Sequence, residues 1–107
     1  MTKFNEREKA FEAKFKLDEE LRFKATARRN KLLGLWAAEQ MGLNEGEAGA
    51  YAKEVVKADF EAPGDDDVLQ KVLADLQGKG VETSDRLVRK HMEELMGVAV
   101  EQVQSEG

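Results

Sequence analysis

Cysteine is absent from this chain of 107 residues. That excludes disulfides and thiolate metal sites, and it argues against a small secreted scaffold, which leans on crosslinks when its core is small. Proline occurs once, at Pro63, so helix formation is obstructed almost nowhere. No apolar run approaches the ~18 residues that a bilayer-spanning helix needs. The N-terminus lacks the apolar core and cleavage site of a signal peptide, so the cytoplasm is the expected compartment. A basic excess is also missing: the formal net charge is -5, whereas a nucleic-acid binder is usually basic or carries a strong basic stripe. No segment alternates apolar and polar residues with the two-residue period of a strand.

What remains is 41% hydrophobic and 36% charged residues. The first figure supplies one modest core, so wholesale disorder is not expected. The second favours a helical protein with a solvated outer surface. One domain is the natural count for this length. Helical composition runs from Asn5, which has capping-box spacing to Glu8, as far as Met41, where Gly42 offers a stop. Asn44 and Glu47 repeat the cap spacing ahead of Ala48, Tyr51, Ala52, Val55 and Val56, and Pro63-Gly64 closes that helix. The glycines in "LNEGEAGA" cost this helix roughly 1 kcal/mol each relative to alanine. Asp65 to Asp67 put negative charge where a helix begins, followed by Val68, Val72 and Leu76. After "GKG" at 78–80, Ser84 or Thr83 caps a last helix showing Leu87, Val88, Leu95, Val98 and Ala99 on one side. The expected fold is all-α: a four-helix bundle with an N-terminal helical or mobile arm.

The arm is the unusual part. Three of five phenylalanines, Phe4, Phe11 and Phe15, lie in the first fifteen residues. At roughly 100° per residue they fall within roughly 40° of one another. Continued along the helix, that line meets Asp18, Glu19 and Arg22 and ends. A second stripe through Leu21, Ala25, Leu32, Leu35 and Trp36 is centred roughly 85° away. Either the helix bends near "KLDEEL" or the first stripe faces something other than the chain's own core. The charge changes at the same place. Lys3, Arg7, Lys9, Lys14 and Lys16 against Glu6, Glu8 and Glu12 leave residues 1–17 at +2 and the remainder at -7. One account has the phenylalanines fold back and cap the bundle, as aromatic residues at helical spacing commonly do. The other has an arm docking into a partner's groove, where burial of each phenylalanine contributes roughly 1.5–3 kcal/mol.

The segments "REKAFEAKF", "DEELRFKATARRNKLLGLWAAE", "YAKEVVKADFE" and "HMEELM" resemble the ATPase inhibitor subunit zeta family, the ζ subunit of the α-proteobacterial F1FO-ATPase. The resemblance covers nearly the whole chain. It implies a four-helix bundle with a mobile inhibitory segment, here residues 1–19 as the arm and 20–107 as the bundle domain. It implies a regulator that stops ATP hydrolysis by inserting its N-terminal segment into an α/β catalytic interface of F1 and approaching the γ shaft. The partners it implies are the α, β and γ subunits of the F1 head, on the inner face of the plasma membrane. No cofactor, nucleic acid or membrane insertion is expected, and the free chain is expected to be a monomer. On this basis Phe4, Phe11 and Phe15 are the expected apolar anchors, and Arg7, Lys9, Lys14 and Lys16 the cations that pair with acidic groups at the rim and steer encounter.

Other constellations point less far. Arg22, Lys24, Arg28, Arg29 and Lys31 form a basic run without acids, expected to be a solvated helix face. No Walker-type loop accompanies it, so a phosphate site has no further support. Asp65, Asp66 and Asp67 lack the alternating oxygen-ligand spacing of an EF-hand, and helix-start electrostatics explain them. His91, the only histidine, is expected as a packed or edge residue, and Trp36 and Tyr51 as core or boundary. No nucleophile stands in a catalytic pattern, so an enzyme is not expected. The rival to the inhibitor is a helical adaptor or chaperone-like protein whose aromatic arm binds another protein, and a third, weaker reading is a nucleic-acid binder using the basic run.

Overall fold

A computed structural model describes residues 2–61 and 64–106, with side chains from Glu19 onward. Four helices make it up: α1 (Thr2–Gln40), α2 (Glu45–Glu61), α3 (Asp65–Gly78) and α4 (Asp85–Glu106), with no strand among the described residues. The all-α four-helix expectation holds. α1 is one unbroken element that begins before Asn5, so the cap spacing there does not mark its start.

Local chemistry sets the other ends. At the close of α1, the Leu43 N–H donates to Ala38 O at 3.0 Å and Gly42 N–H to Glu39 O at 3.1 Å, with Gly42 at φ 74°. This is a Schellman motif, which turns the chain through a left-handed residue that glycine adopts without strain. The same motif closes α3, where Val81 donates to Leu76 and Gly80, at φ 78°, to Gln77, both at 3.0 Å. α2 opens with a reciprocal capping box: Glu47 N–H donates to Asn44 Oδ1 at 2.8 Å and Asn44 N–H to Glu47 Oε1 at 3.2 Å. That satisfies two orphan donors and offsets the glycines behind it. Ser84 Oγ accepts from Leu87 N–H at 3.3 Å and caps α4.

α1 is the axis of the bundle and packs against each of the other three helices. Its fully buried positions are Ala25, Arg29, Asn30, Leu33, Gly34, Ala37 and Ala38. This corrects the stripe read from the sequence. Of Leu21, Ala25, Leu32, Leu35 and Trp36, only Ala25 is buried; the others are half-buried flanks. The reason is steric. Small residues let neighbouring axes come close, and at Gly34 an added Cβ would stand 2.6 Å from Ala52 Cα in α2. The large side chains sit to either side of that seam. Leu33 and Ala37 join Tyr51, Val55, Val68, Leu69, Val72, Leu76, Val88 and Met92 in the core. In α4 the buried line is Val88, Met92, Ala99 and Val103, while Leu87 and Val98 are exposed.

Arg22, Lys24 and Lys31 of the basic run are exposed, as its composition suggested, and Arg28 is half-buried, but Arg29 departs from that face. Arg29 is 2% exposed and Asn30 fully buried. Asn30 Oδ1 accepts from Arg29 Nε at 3.2 Å and Nη2 at 2.8 Å, and Asn30 Nδ2 donates to Asp59 Oδ2 at 3.1 Å. Arg29 Nη2 also donates to Asp65 Oδ1 at 2.9 Å. The cluster ties α1 to the end of α2 and the start of α3. Among the described residues no buried side-chain polar atom lacks a partner, as a polar core requires.

Candidate partner-binding site

The arm residues singled out by the sequence, Phe4, Arg7, Lys9, Phe11, Lys14, Phe15 and Lys16, lie on α1, and their side chains lie outside the described residues. Phe60, next to the last residue of α2, meets Phe23, with ring centroids 6.1 Å apart and planes at 62°. Glu106, the last residue of α4, accepts from Arg28 Nη2 at 2.7 Å, and Arg28 Nη1 donates to Gln102 at 2.9 Å. Both α2 and α4 therefore end against the Phe23–Arg28 stretch of α1.

Among the described residues Phe23 and Phe60 are the largest apolar side chains left open, 64% and 62% exposed. Their edge-to-face contact is a favoured aromatic geometry, yet most of both rings stays in water. Beside them a groove of about 520 Å³ runs between α1 and α2. Leu35, Ala52 and Val56 form its floor, Phe60 closes one end, and Lys31, Lys53 and Lys57 stand on its rim. A second hollow of about 530 Å³ opens across Phe23, where Ala27 and Val103 meet Lys24 and Arg28. The sequence reading missed this surface. Phe23 and Phe60 are 37 positions apart, and only the hairpin register brings them together.

Other candidates are structural. Trp36 and His91 stack with centroids 4.1 Å apart, joining α1 to α4 at an edge, as expected for a packed histidine. Tyr51 is buried, and its hydroxyl donates to Asp75 Oδ2 at 2.8 Å; burial first, then this bond and its charge, push the phenol well above its ordinary pKa. Asp65 and Asp66 at the start of α3 pair with Arg29 and Arg89, in keeping with helix-start electrostatics. Among the described residues no group of histidines and acids is arranged to hold a metal, and no helix is long and apolar enough to cross a membrane.

An exposed aromatic pair beside a lysine-rimmed groove is a surface suited to binding a partner. The family model described as ATPase inhibitor subunit zeta matches residues 1–102. The chain belongs to that family. Its members are regulatory inhibitors and not enzymes, so the chain's role is inhibition of an ATPase, to which it must bind. A structure described only as the solution NMR structure of a protein is similar to this chain over 81% of its length and 99% of the other chain, with 54% identity and a TM-score of 0.70. No curated protein matches the chain. The family match takes in the aromatic arm as well as the bundle.

Proposed function

We propose that the chain inhibits ATP hydrolysis by the F1FO-ATPase by inserting its N-terminal segment into an α/β catalytic interface of F1, from a station on the F1 head at the cytoplasmic face of the plasma membrane. Residues 1–19 are the inhibitory arm and 20–107 the bundle domain. The family match through residue 1 to residue 102 carries this proposal. The contacts of α2 and α4 support the division, since Phe60 and Glu106, at the ends of those helices, meet Phe23 and Arg28, C-terminal to the arm.

Hydrolysis requires the catalytic interfaces to open and close in turn. A helix that fits one state of one interface holds back the others by the difference in its affinity for them. Phe4, Phe11 and Phe15, at i, i+7 and i+11, supply the apolar line of a helix-in-groove complex. Arg7, Lys9, Lys14 and Lys16 meet acidic groups at the rim and speed encounter. The γ subunit lies within reach of the same arm.

The test is ATP hydrolysis by isolated F1 with added full-length chain, set beside Phe4→Ala/Phe11→Ala/Phe15→Ala in one molecule. The wild-type chain should inhibit and the triple variant should not, with the same thermal unfolding for both. Equal potency of the two would remove the arm from the mechanism. Failure of the wild-type chain to inhibit, together with its recovery on other protein partners, would favour the adaptor.

A further inference from the structure

We infer that the α1–α2 groove beside Phe23 and Phe60 is a second contact with the ATPase, one that takes an acidic amphipathic helix of that partner and holds the bundle while the arm acts; this rests on the inhibitor function proposed above. Three observations carry it. The floor is apolar, built from Leu35, Ala52 and Val56. Two phenylalanines stand at its end more than half exposed, an arrangement that gains free energy only when something covers it. The charged residues lining the groove are of one sign, Lys31, Lys53 and Lys57, on a chain whose net charge is -5.

Those features select the occupant. A groove flanked by lysines takes a ligand with apolar anchors on one face and carboxylates beside them. From Gly49 to Phe60 the groove follows α2 for about 16 Å, or about three helical turns, room for anchors at i, i+4 and i+7. Lys57 has a loose exposed pair with Glu61 at 3.7 Å, which water and salt weaken. Lys31 and Lys53 take part in no ion pair among the described residues, so their charge is available to a partner. A second copy is a poor occupant. A two-fold dimer through this patch would set the same lysines against one another. The groove also lies on the helix that carries the arm, so one partner can engage both.

The test compares affinities of full-length variants for F1. Lys31→Glu/Lys53→Glu should weaken binding roughly tenfold and flatten its dependence on salt, and Lys31→Arg/Lys53→Arg should bind as wild type. Phe23→Ala/Phe60→Ala should weaken binding by a similar factor with its salt dependence kept. Circular dichroism melting should show all three folded, since these side chains are exposed. Wild-type affinity in both the glutamate and the alanine variants, with a wild-type chain that inhibits, overturns this inference and leaves the inhibitor function standing. A wild-type chain that neither binds nor inhibits F1 overturns both. Sedimentation of the wild type as a dimer that Lys31→Glu/Lys53→Glu splits would assign the groove to a second copy and overturn the ATPase contact.

Discussion

Asn30→Leu should destabilise the bundle far more than its change in size suggests. Asn30 is fully buried and serves both neighbours of the polar cluster. Its Oδ1 accepts two bonds from Arg29, at 2.8 and 3.2 Å, and its Nδ2 donates to Asp59 at 3.1 Å. Leucine removes all three. Asp59 is half-buried and can turn to water, and Arg29 Nη2 keeps Asp65. Arg29 Nε has no such recourse, because the side chain is almost wholly enclosed. A buried donor left without a partner costs about 1–3 kcal/mol, and the bond to the Asp59 carboxylate adds about 1 kcal/mol. The expected loss is therefore about 2–4 kcal/mol, which at roughly 4–8 °C per kcal/mol lowers the melting temperature by roughly 8–32 °C. Arg29→Met/Asn30→Leu should recover a large part of that, since it removes the stranded charge along with its partner. Thermal melts and urea titrations of the wild type and of both variants measure the effect. A single variant melting within ~3 °C of wild type, below what ~0.5 kcal/mol would produce, would show that the cluster is not a clamp. So would a double variant that is less stable than the single one.

The seam between α1 and α2 gives a paired contrast. Gly34→Ala must push α2 away from a 2.6 Å approach to Ala52 Cα, whereas at Gly97 in α4 an added Cβ meets nothing within 4 Å. Overpacking costs about 1–3 kcal/mol against a helix-propensity gain of about 1 kcal/mol, so Gly34→Ala should lower the melting temperature and Gly97→Ala raise it. Tyr51 is expected to govern alkaline stability. Burial and Asp75 raise its folded-state pKa, so its contribution is intact below the unfolded value of about 10 and is lost as pH rises above it. Absorbance at 295 nm should then show the chain's one tyrosine ionising together with unfolding, and Tyr51→Phe should remove that coupling. Asn44→Ala removes one arm of the capping box and should cost about 1 kcal/mol in a urea titration.

Element order and boundaries were legible because they rest on local chemistry. Gly42, Asn44 with Glu47, the 78–80 break and Ser84 each act within a few residues, and each appears as a hydrogen bond close to where the spacing put it. The buried face of α1 was not legible. A wheel weighted by side-chain size turns toward Leu32, Leu35 and Trp36, while the closest contacts are made by Gly34, Ala37 and Ala38, whose value is that they are small. Arg29 was placed on a solvated face, and Asn30 was not singled out, because nothing next to them in sequence reveals Asp59 and Asp65, which arrive from two other helices. Phe23 with Phe60 was missed for the same reason: the pair exists only once α1 and α2 are in register.

That correction alters the case for the arm. The sequence argument set the aromatic stripe roughly 85° from the core stripe and concluded that one straight helix could not turn both inward. The face α1 in fact buries, from Ala25 through Leu33 to Ala38, is centred only roughly 55° from the line of Phe4, Phe11 and Phe15 on the same wheel. Direction alone no longer separates the two. Position along the axis does. α2 and α4 finish against Phe23 and Arg28, and Phe15 precedes Phe23 by eight residues, about 12 Å of helix. On a continuous α1 the positions of the three phenylalanines fall near the line of the buried face and N-terminal to the contacts that Phe60 and Glu106 make with α1. In the mechanism proposed above, a groove on another protein covers that stripe. Extending α4 by three turns of apolar-faced helix after Glu106 would supply the missing neighbour in cis. It should reduce inhibition of F1 without unfolding the bundle, and inhibition that survives the extension unchanged would count against a free arm.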